Sequence, residues 1–229
     1  MAVRERYQPC VLLQNAGIPC AIWCEDALKH YGVPTMVFDL YLLVADIDQA
    51  REVLIQNSWT DASEPPETLI HFLLRHPEIR RRRLNPPASD PATPAARRWL
   101  VSTVFLSASE WNTSSKELAW ASSLNQSYPS LATLTNSLIS KLLDAPPDSD
   151  LQNMMAVYVL YLYAHVKALK DPSFVSGISP ENREFHRHAV AGHSIGTLPA
   201  IAHHREVRDT LRSRSGALDS LSTQTDTHE

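Results

Sequence analysis

Three carboxylates and a tyrosine, Glu25, Asp26, Asp39 and Tyr41, crowd into the stretch 17–44, GIPCAIWCEDALKHYGVPTMVFDLYLLV. Asp39 most needs an explanation. It interrupts an apolar run, and burying a carboxylate is costly unless it meets a metal, a cation or a substrate. Either it belongs to a functional site, or it is a structural acid paired with an arginine or backbone amides. Glu25 is either a general base or acid facing Asp39, or a charge favoured by the start of a helix. For Asp26 the helix-dipole account is the better one. Tyr41 shares a strand face with Asp39 by the two-residue period, as a hydrogen-bond or proton donor or as a core aromatic. Cys24 is either a nucleophile whose thiol pKa the helix start lowers, or a small buried cysteine, which is the commoner outcome.

A second cluster is cationic. Arg75, His76, Arg80, Arg81, Arg82 and Arg83 form one dense basic stretch. It is either a solvated charged face or a set of phosphate contacts along an RNA backbone. His186, His188, His193, His203 and His204 look like a metal constellation, yet their spacing fits no strong ligand motif, and no metal is expected there. Ser194, in GHSIG, echoes a hydrolase elbow without the strand that should precede it. Trp59, Trp99, Trp111 and Trp120 are read as core.

The bulk numbers bound these readings. With 229 residues and 44% hydrophobic content, the chain can hold one ordinary domain or two small ones around a real core. A net charge of −4 excludes a global basic field, so any RNA contact must be local. Six glycines leave no Gly-rich phosphate cradle, and three cysteines argue against a disulfide scaffold. The N-terminus carries no apolar signal core, and no run reaches the ~18 apolar residues of a membrane span. A soluble, cytoplasmic protein with no membrane partner is expected.

The elements that must position these residues follow from periodicity. The pattern predicts a helix over 5–15, a short apolar run over 20–23 and a helix over 25–31 stopped by Gly32. A nearly continuous strand over 34–44, with Asp39 inside it, precedes a helix over 47–57 capped by Asp46. A helix over 67–75, a proline-punctuated loop over 85–94 and a strand over 99–106 come next. Leu131, Leu134, Leu138 and Leu142 then mark an amphipathic helix. Residues 151–170, apolar nearly all round, should form the central helix of the second part. Strands with helical excursions between them predict an α/β (α+β) fold, with a sheet-bearing part over 1–125, a helical part over 126–216 and a disordered tail over 217–229.

Cys24-Glu25, then Ala27-Leu28-Lys29-His30-Tyr31-Gly32-Val33-Pro34-Thr35, then Phe38-Asp39-Leu40-Tyr41-Leu42-Leu43-Val44 resemble the opening of minimal nucleotidyltransferase-fold proteins. The likeness is strongest to a large group of fungal proteins in which a similar core precedes a helical part. The fungal arginine-containing cyclodipeptide synthases sit within that group. The resemblance implies a small mixed sheet with helices, followed by helices. Active nucleotidyltransferases of this fold carry a glycine pair before the helix and two carboxylates on one strand face, which bracket divalent metals. Here Cys24 and Glu25 fill the glycine positions, Tyr41 fills the second carboxylate position, and Glu110 lies past the end of the third strand.

These departures argue against nucleotide transfer, and no cofactor is expected. Magnesium enters only if Glu25 or Glu110 completes the site of a magnesium-dependent nucleotidyltransferase. The resemblance implies instead a transferase of secondary metabolism that uses aminoacyl-tRNA to form an arginine-containing dipeptide or cyclodipeptide. Asp39, Glu25 and Tyr41 would be catalytic. Cys24, Asp26 and Thr35 would bind substrate, and Arg75, Arg80, Arg81, Arg82 and Arg83 would hold the tRNA. A non-catalytic RNA- or ligand-binding module is the remaining alternative.

Overall fold

The computed structural model describes residues 5–62, 79–87, 101–123 and 127–225. Two compact units divide the chain, Met1–Ser137 and Leu138–Glu229, so the boundary falls within a helix, some way past the expected residue 125. The predicted helix over 67–75, Arg75 itself and most of the proline-rich loop lie outside the described residues.

The first unit is an α/β structure built on a mixed five-stranded sheet. A short 3-10 turn leads into α1 (Gln8–Asn15), then β1 (Cys20–Ile22), α2 (Cys24–His30), β2 (Leu40–Val44) and α3 (Ile47–Gln56). β3 (Thr60–Asp61), β4 (Arg81–Asn85), β5 (Thr103–Ser107) and α4 (Ser115–Ser123) follow, and α5 (Leu131–Asp144) runs on into the second unit. The strand order is β1-β2-β5-β4-β3. β2 is antiparallel to β1 and parallel to β5, and β4 runs antiparallel to both β5 and β3.

β2 is shorter than its sequence suggests. All five of its residues are buried, as a strand covered on both faces requires. The preceding residues 34–38 form no ladder, and Met36 is 72% exposed. Asp39 therefore sits just before the strand and not inside it. Along β2 the alternation is clean. Leu40, Leu42 and Val44 join α3's Ala50 and Leu54, α1's Leu13 and β5's Phe105 in one core, which leaves Tyr41 and Leu43 on the opposite face. Asp46 stops the strand and starts α3, its side chain accepting from the backbone N–H groups of Asp48 and Gln49.

Arg81, Arg82 and Arg83 of the dense basic stretch lie in β4. In the sheet register Arg83 lies opposite Val104 of β5, which in turn lies beside Tyr41 of β2. Arg83 and Tyr41 thus share a face, two strand spacings apart (about 10 Å). Arg82, opposite Phe105, faces the other way.

In the second unit, α6 (Asp150–His165) is capped by Ser149, whose hydroxyl accepts from Gln152 N–H. It ends before the expected Lys170, because Val166 adopts an extended backbone. One side of α6 is open: Val157, Leu160 and Tyr161 are 40–46% exposed, so the helix is not buried all round. α7 (Arg183–Val190) and α8 (Leu198–Thr225) complete the unit, α8 running through much of the stretch expected to be a disordered tail. Arg205 on α8 donates to the carbonyls of Leu143 and Ala145, both at 2.8 Å, satisfying acceptors left over at the end of α5. Among the described residues no helix is long and apolar enough to cross a membrane.

Candidate functional site

α2 is joined to β2 at its first turn. Trp23 N–H donates to the Tyr41 carbonyl at 2.9 Å. The next residue, Cys24, has a φ of +52°, a left-handed conformation that ordinarily favours glycine. This is one of the two positions at which the resemblance drawn from the sequence implies glycine. The turn geometry is that of a glycine even though a cysteine stands there. The turn brings Cys24, Glu25 and Asp26 into the buried face of α2.

Each acid can now be placed. The Asp39 carboxylate is 6% exposed and pairs with the Arg83 guanidinium, Nε to Oδ2 at 2.8 Å. Arg6 supports the same corner from the other side, donating to the carbonyls of Phe38 (2.8 Å) and Asp39 (3.2 Å). Asp26 is held by a fork: Arg6 Nε reaches Oδ1 at 3.0 Å and Nη2 reaches Oδ2 at 2.5 Å, while Tyr7 OH also donates to Oδ1 at 3.0 Å. Burial works against the Arg6 charge, but the hydrogen bond and the attraction of Asp26 outweigh it and hold its pKa above the ordinary value. Tyr128 OH donates to Tyr7 OH at 3.2 Å and closes the chain of contacts.

The substrate-binding role expected of Asp26 is therefore taken up by the chain itself, since three donors of Arg6 and Tyr7 already occupy its two oxygens. Neither Arg6, Tyr7 nor Tyr128 was legible as a partner, because the contacts join positions far apart in sequence. Glu25 is 8% exposed and Tyr41 3% exposed. Burial first, then the charges of Glu25, Cys24 and Asp39, push the Tyr41 phenol well above its usual range, with Arg83 opposing. Tyr41 thus stays a neutral phenol. Burial, reinforced by Glu25 and Asp26, likewise raises the Cys24 thiol, so it is no thiolate nucleophile. Thr35 lies in the irregular segment before β2 and donates to the Met36 carbonyl at 3.2 Å.

The four described arginines of the basic stretch do not form one surface. Arg81 and Arg83 share Tyr41's face. Arg80 and Arg82 turn to the N-terminus of α3, at 3.0 Å and 3.8 Å from the Asp48 carboxylate. A strand with period two cannot present four consecutive side chains to a single RNA backbone. Glu110, in the 3-10 turn after β5, accepts from Arg80 N–H at 3.1 Å.

The divalent metals of the nucleotidyltransferase pattern do not fit these residues. At the two positions where the resemblance implies metal-bracketing carboxylates, Asp39 is paired with a guanidinium and Tyr41 offers a neutral phenol. No step is derived through magnesium. A cavity of about 260 Å³ opens elsewhere in the unit, lined by Ala21, Thr113, Lys116, Glu117, Pro129, Ser130 and Thr133. None of the residues singled out from the sequence lines it. Glu117 is fixed there by Ser114 and by the Thr133 hydroxyl at 2.8 Å.

In the second unit, folding does what linear spacing hides. His188 near the end of α7 meets His203 and His204 of α8, with ring centroids 6.3 Å and 5.0 Å away, and His193 stacks on His188 at 4.9 Å. His186 points elsewhere, to Tyr163 OH at 2.7 Å. His204 is buried, and burial followed by the neighbouring His188 and His203 brings its pKa down to about 4, against the pull of Glu184.

Neither a protein-family model nor a curated protein matches the chain, so the chemistry open to it is the chemistry of these residues.

Proposed function

We propose that the first unit is a transferase on a degenerate nucleotidyltransferase-like core, acting on acyl groups already activated as aminoacyl-tRNA and forming an arginine-containing dipeptide or cyclodipeptide. The observation that carries this reading is the buried Glu25 carboxylate close to the Tyr41 phenol, whose ionisation it opposes; holding the corner beside them, as a structural acid with its arginine, is the Asp39–Arg83 pair at 2.8 Å. That pair sets a guanidinium where nucleotidyl transfer needs a metal, and leaves a carboxylate and a neutral phenol as the chemical groups of the face. Acyl transfer from an ester to an amine needs little more than these. The amine of one aminoacyl group attacks the ester carbonyl of the other, forming the C–N bond, and its proton passes to Glu25. Tyr41 donates to the developing oxyanion. As the intermediate collapses the C–O bond breaks, and the leaving ribose oxygen takes the proton back from Glu25. A second, intramolecular round closes the ring. Arg80 and Arg82, mostly exposed and paired among the described residues with the surface acid Asp48, are the side chains that exchange most readily onto tRNA phosphates.

A second reading is favoured by one observation: Asp26 and Asp39 are both held by the chain's own guanidinium groups. On that reading the unit is a non-catalytic binding module. Purified full-length protein, incubated with charged tRNA and assayed by mass spectrometry, separates the two, with filter binding to tRNA at several salt concentrations alongside. Dipeptide that disappears in Glu25→Gln while tRNA binding persists supports the transferase. Salt-dependent binding with no product from any pair that includes arginyl-tRNA leaves the module. Absence of both rejects both.

A further inference from the structure

The converging histidines of the second unit have a use that the transferase reading does not touch. We propose that Glu184, His203 and His204 are the ligands of one divalent transition-metal ion of the zinc class, with His188 as the residue that orients His204.

The three side chains already converge, and small rotations would close them on one ion. One atom from each of the three side chains lies within 4.8 Å of the other two. His203 Nε2 is 3.3 Å from Glu184 Oε1. Bonds of 2.0–2.1 Å at tetrahedral angles place neighbouring ligand atoms about 3.3–3.4 Å apart, so this distance is one edge of such a site. The exposed Glu184–His203 contact alone would pass for a surface ion pair. The buried partner does not allow that. His204 is 3% exposed, one of its ring nitrogens meets His188 Nδ1 at 3.3 Å, and the other, Nδ1, is buried with no hydrogen-bond partner among the described residues. A buried imidazole with an unsatisfied nitrogen, beside a second imidazole and a carboxylate, is a donor group lacking an acceptor for its lone pair.

Donor type selects the metal class. Two imidazole nitrogens and one carboxylate oxygen suit zinc, cobalt or nickel, whereas magnesium and calcium require mostly oxygen. Three protein ligands leave a fourth position open. His203, with its side chain 54% exposed, gives the ion a way in. The contact of His188 with His204 is the kind that fixes a ligand's tautomer and ring orientation. Since His203 and His204 stand near the start of α8 and Glu184 on α7, the ion would tie these two helices together.

Cobalt(II) titration of the chelator-stripped full-length chain, followed by visible d–d absorption and then by displacement with zinc, tests the site. The expected result is one cobalt per chain with tetrahedral-type bands that zinc abolishes, and no response to magnesium. Glu184→Gln and His203→Ala, both at partly exposed positions, should each weaken binding by more than about tenfold with unchanged circular dichroism. His188→Ala should weaken it by about 10–100-fold, and His165→Ala, outside the cluster, should leave it intact. Saturable binding that survives the Glu184→Gln/His203→Ala double variant overturns the proposal, as does the absence of any saturable cobalt or zinc binding by the native chain.

Discussion

Removing Arg83 while keeping Asp39 tests the central contact of the first unit. Asp39 is 6% exposed and the Arg83 side chain 18% exposed, so the pair is largely withdrawn from water. Breaking a buried pair by deleting one partner costs about 3–5 kcal/mol, because the other charge stays buried and uncompensated. Arg6 remains close enough to Asp39 to offset part of that loss, which puts Arg83→Met near the lower end, at about 3 kcal/mol. Asp39→Asn should cost somewhat less. The Asp39→Asn/Arg83→Met double variant should be more stable than the sum of the single losses by about 2 kcal/mol, the coupling of a contacting pair. All five tryptophans lie between positions 23 and 120, so urea unfolding followed by tryptophan fluorescence reports the first unit alone. A loss under about 1 kcal/mol for Arg83→Met, or strict additivity in the double variant, would place the pair among solvent-exposed bridges and refute the reasoning.

Three further outcomes follow from the same geometry. At Cys24, with φ +52°, glycine should be more stable than alanine by about 1 kcal/mol, the reverse of the usual order; chemical denaturation of Cys24→Gly and Cys24→Ala compares them directly. Alkaline pH should destabilise the first unit. Burial raises the Tyr31 phenol to about 12 and drives Tyr7 and Tyr41 higher still, so stability is complete below the unfolded value near 10 and is lost as pH rises through the folded ones. The urea midpoint by fluorescence should be flat below about pH 9.5 and fall above it, with tyrosinate absorption lagging behind that of free tyrosine. Asp46→Ala should cost about 1 kcal/mol by removing the acceptor for two N–H groups of α3, measured by the same unfolding assay.

What the sequence revealed and what it hid divide along a physical line. α2, α3 and the start of α5 were legible because caps, Gly32 and apolar spacing are local signals. The apolar core of β2 was legible too, but not its beginning, since Pro34 and the apolar residues after it read as strand although Met36 is solvent-facing. β4 was missed. Four arginines in a row overwhelm the alternation that distinguishes Arg81 and Arg83 from Arg80 and Arg82, and only pairing with β5 separates the two faces. Asp39 was marked as costly from its surroundings alone, but its partner, two strands away, was not. The histidines were judged by linear spacing. Glu184 and His188, one helical turn apart on α7, converge with an adjacent His203-His204 pair only when the chain doubles back, and a Glu-x-x-x-His pattern followed by a turn was the available hint.

β2 and β5 lie side by side through five registered pairs although α3, β3 and β4 come between them in the chain. No hairpin turn can start such a parallel seam; everything in between must first be gathered, against the entropy of closing a long loop. During synthesis the edge of Leu40–Val44 that β5 will cover stays open until Ser107 has left the ribosome. For that interval the nascent chain displays five consecutive apolar strand residues with unmatched backbone groups, and it is then, more than in the finished fold, that this protein is exposed to aggregation or to capture by a chaperone.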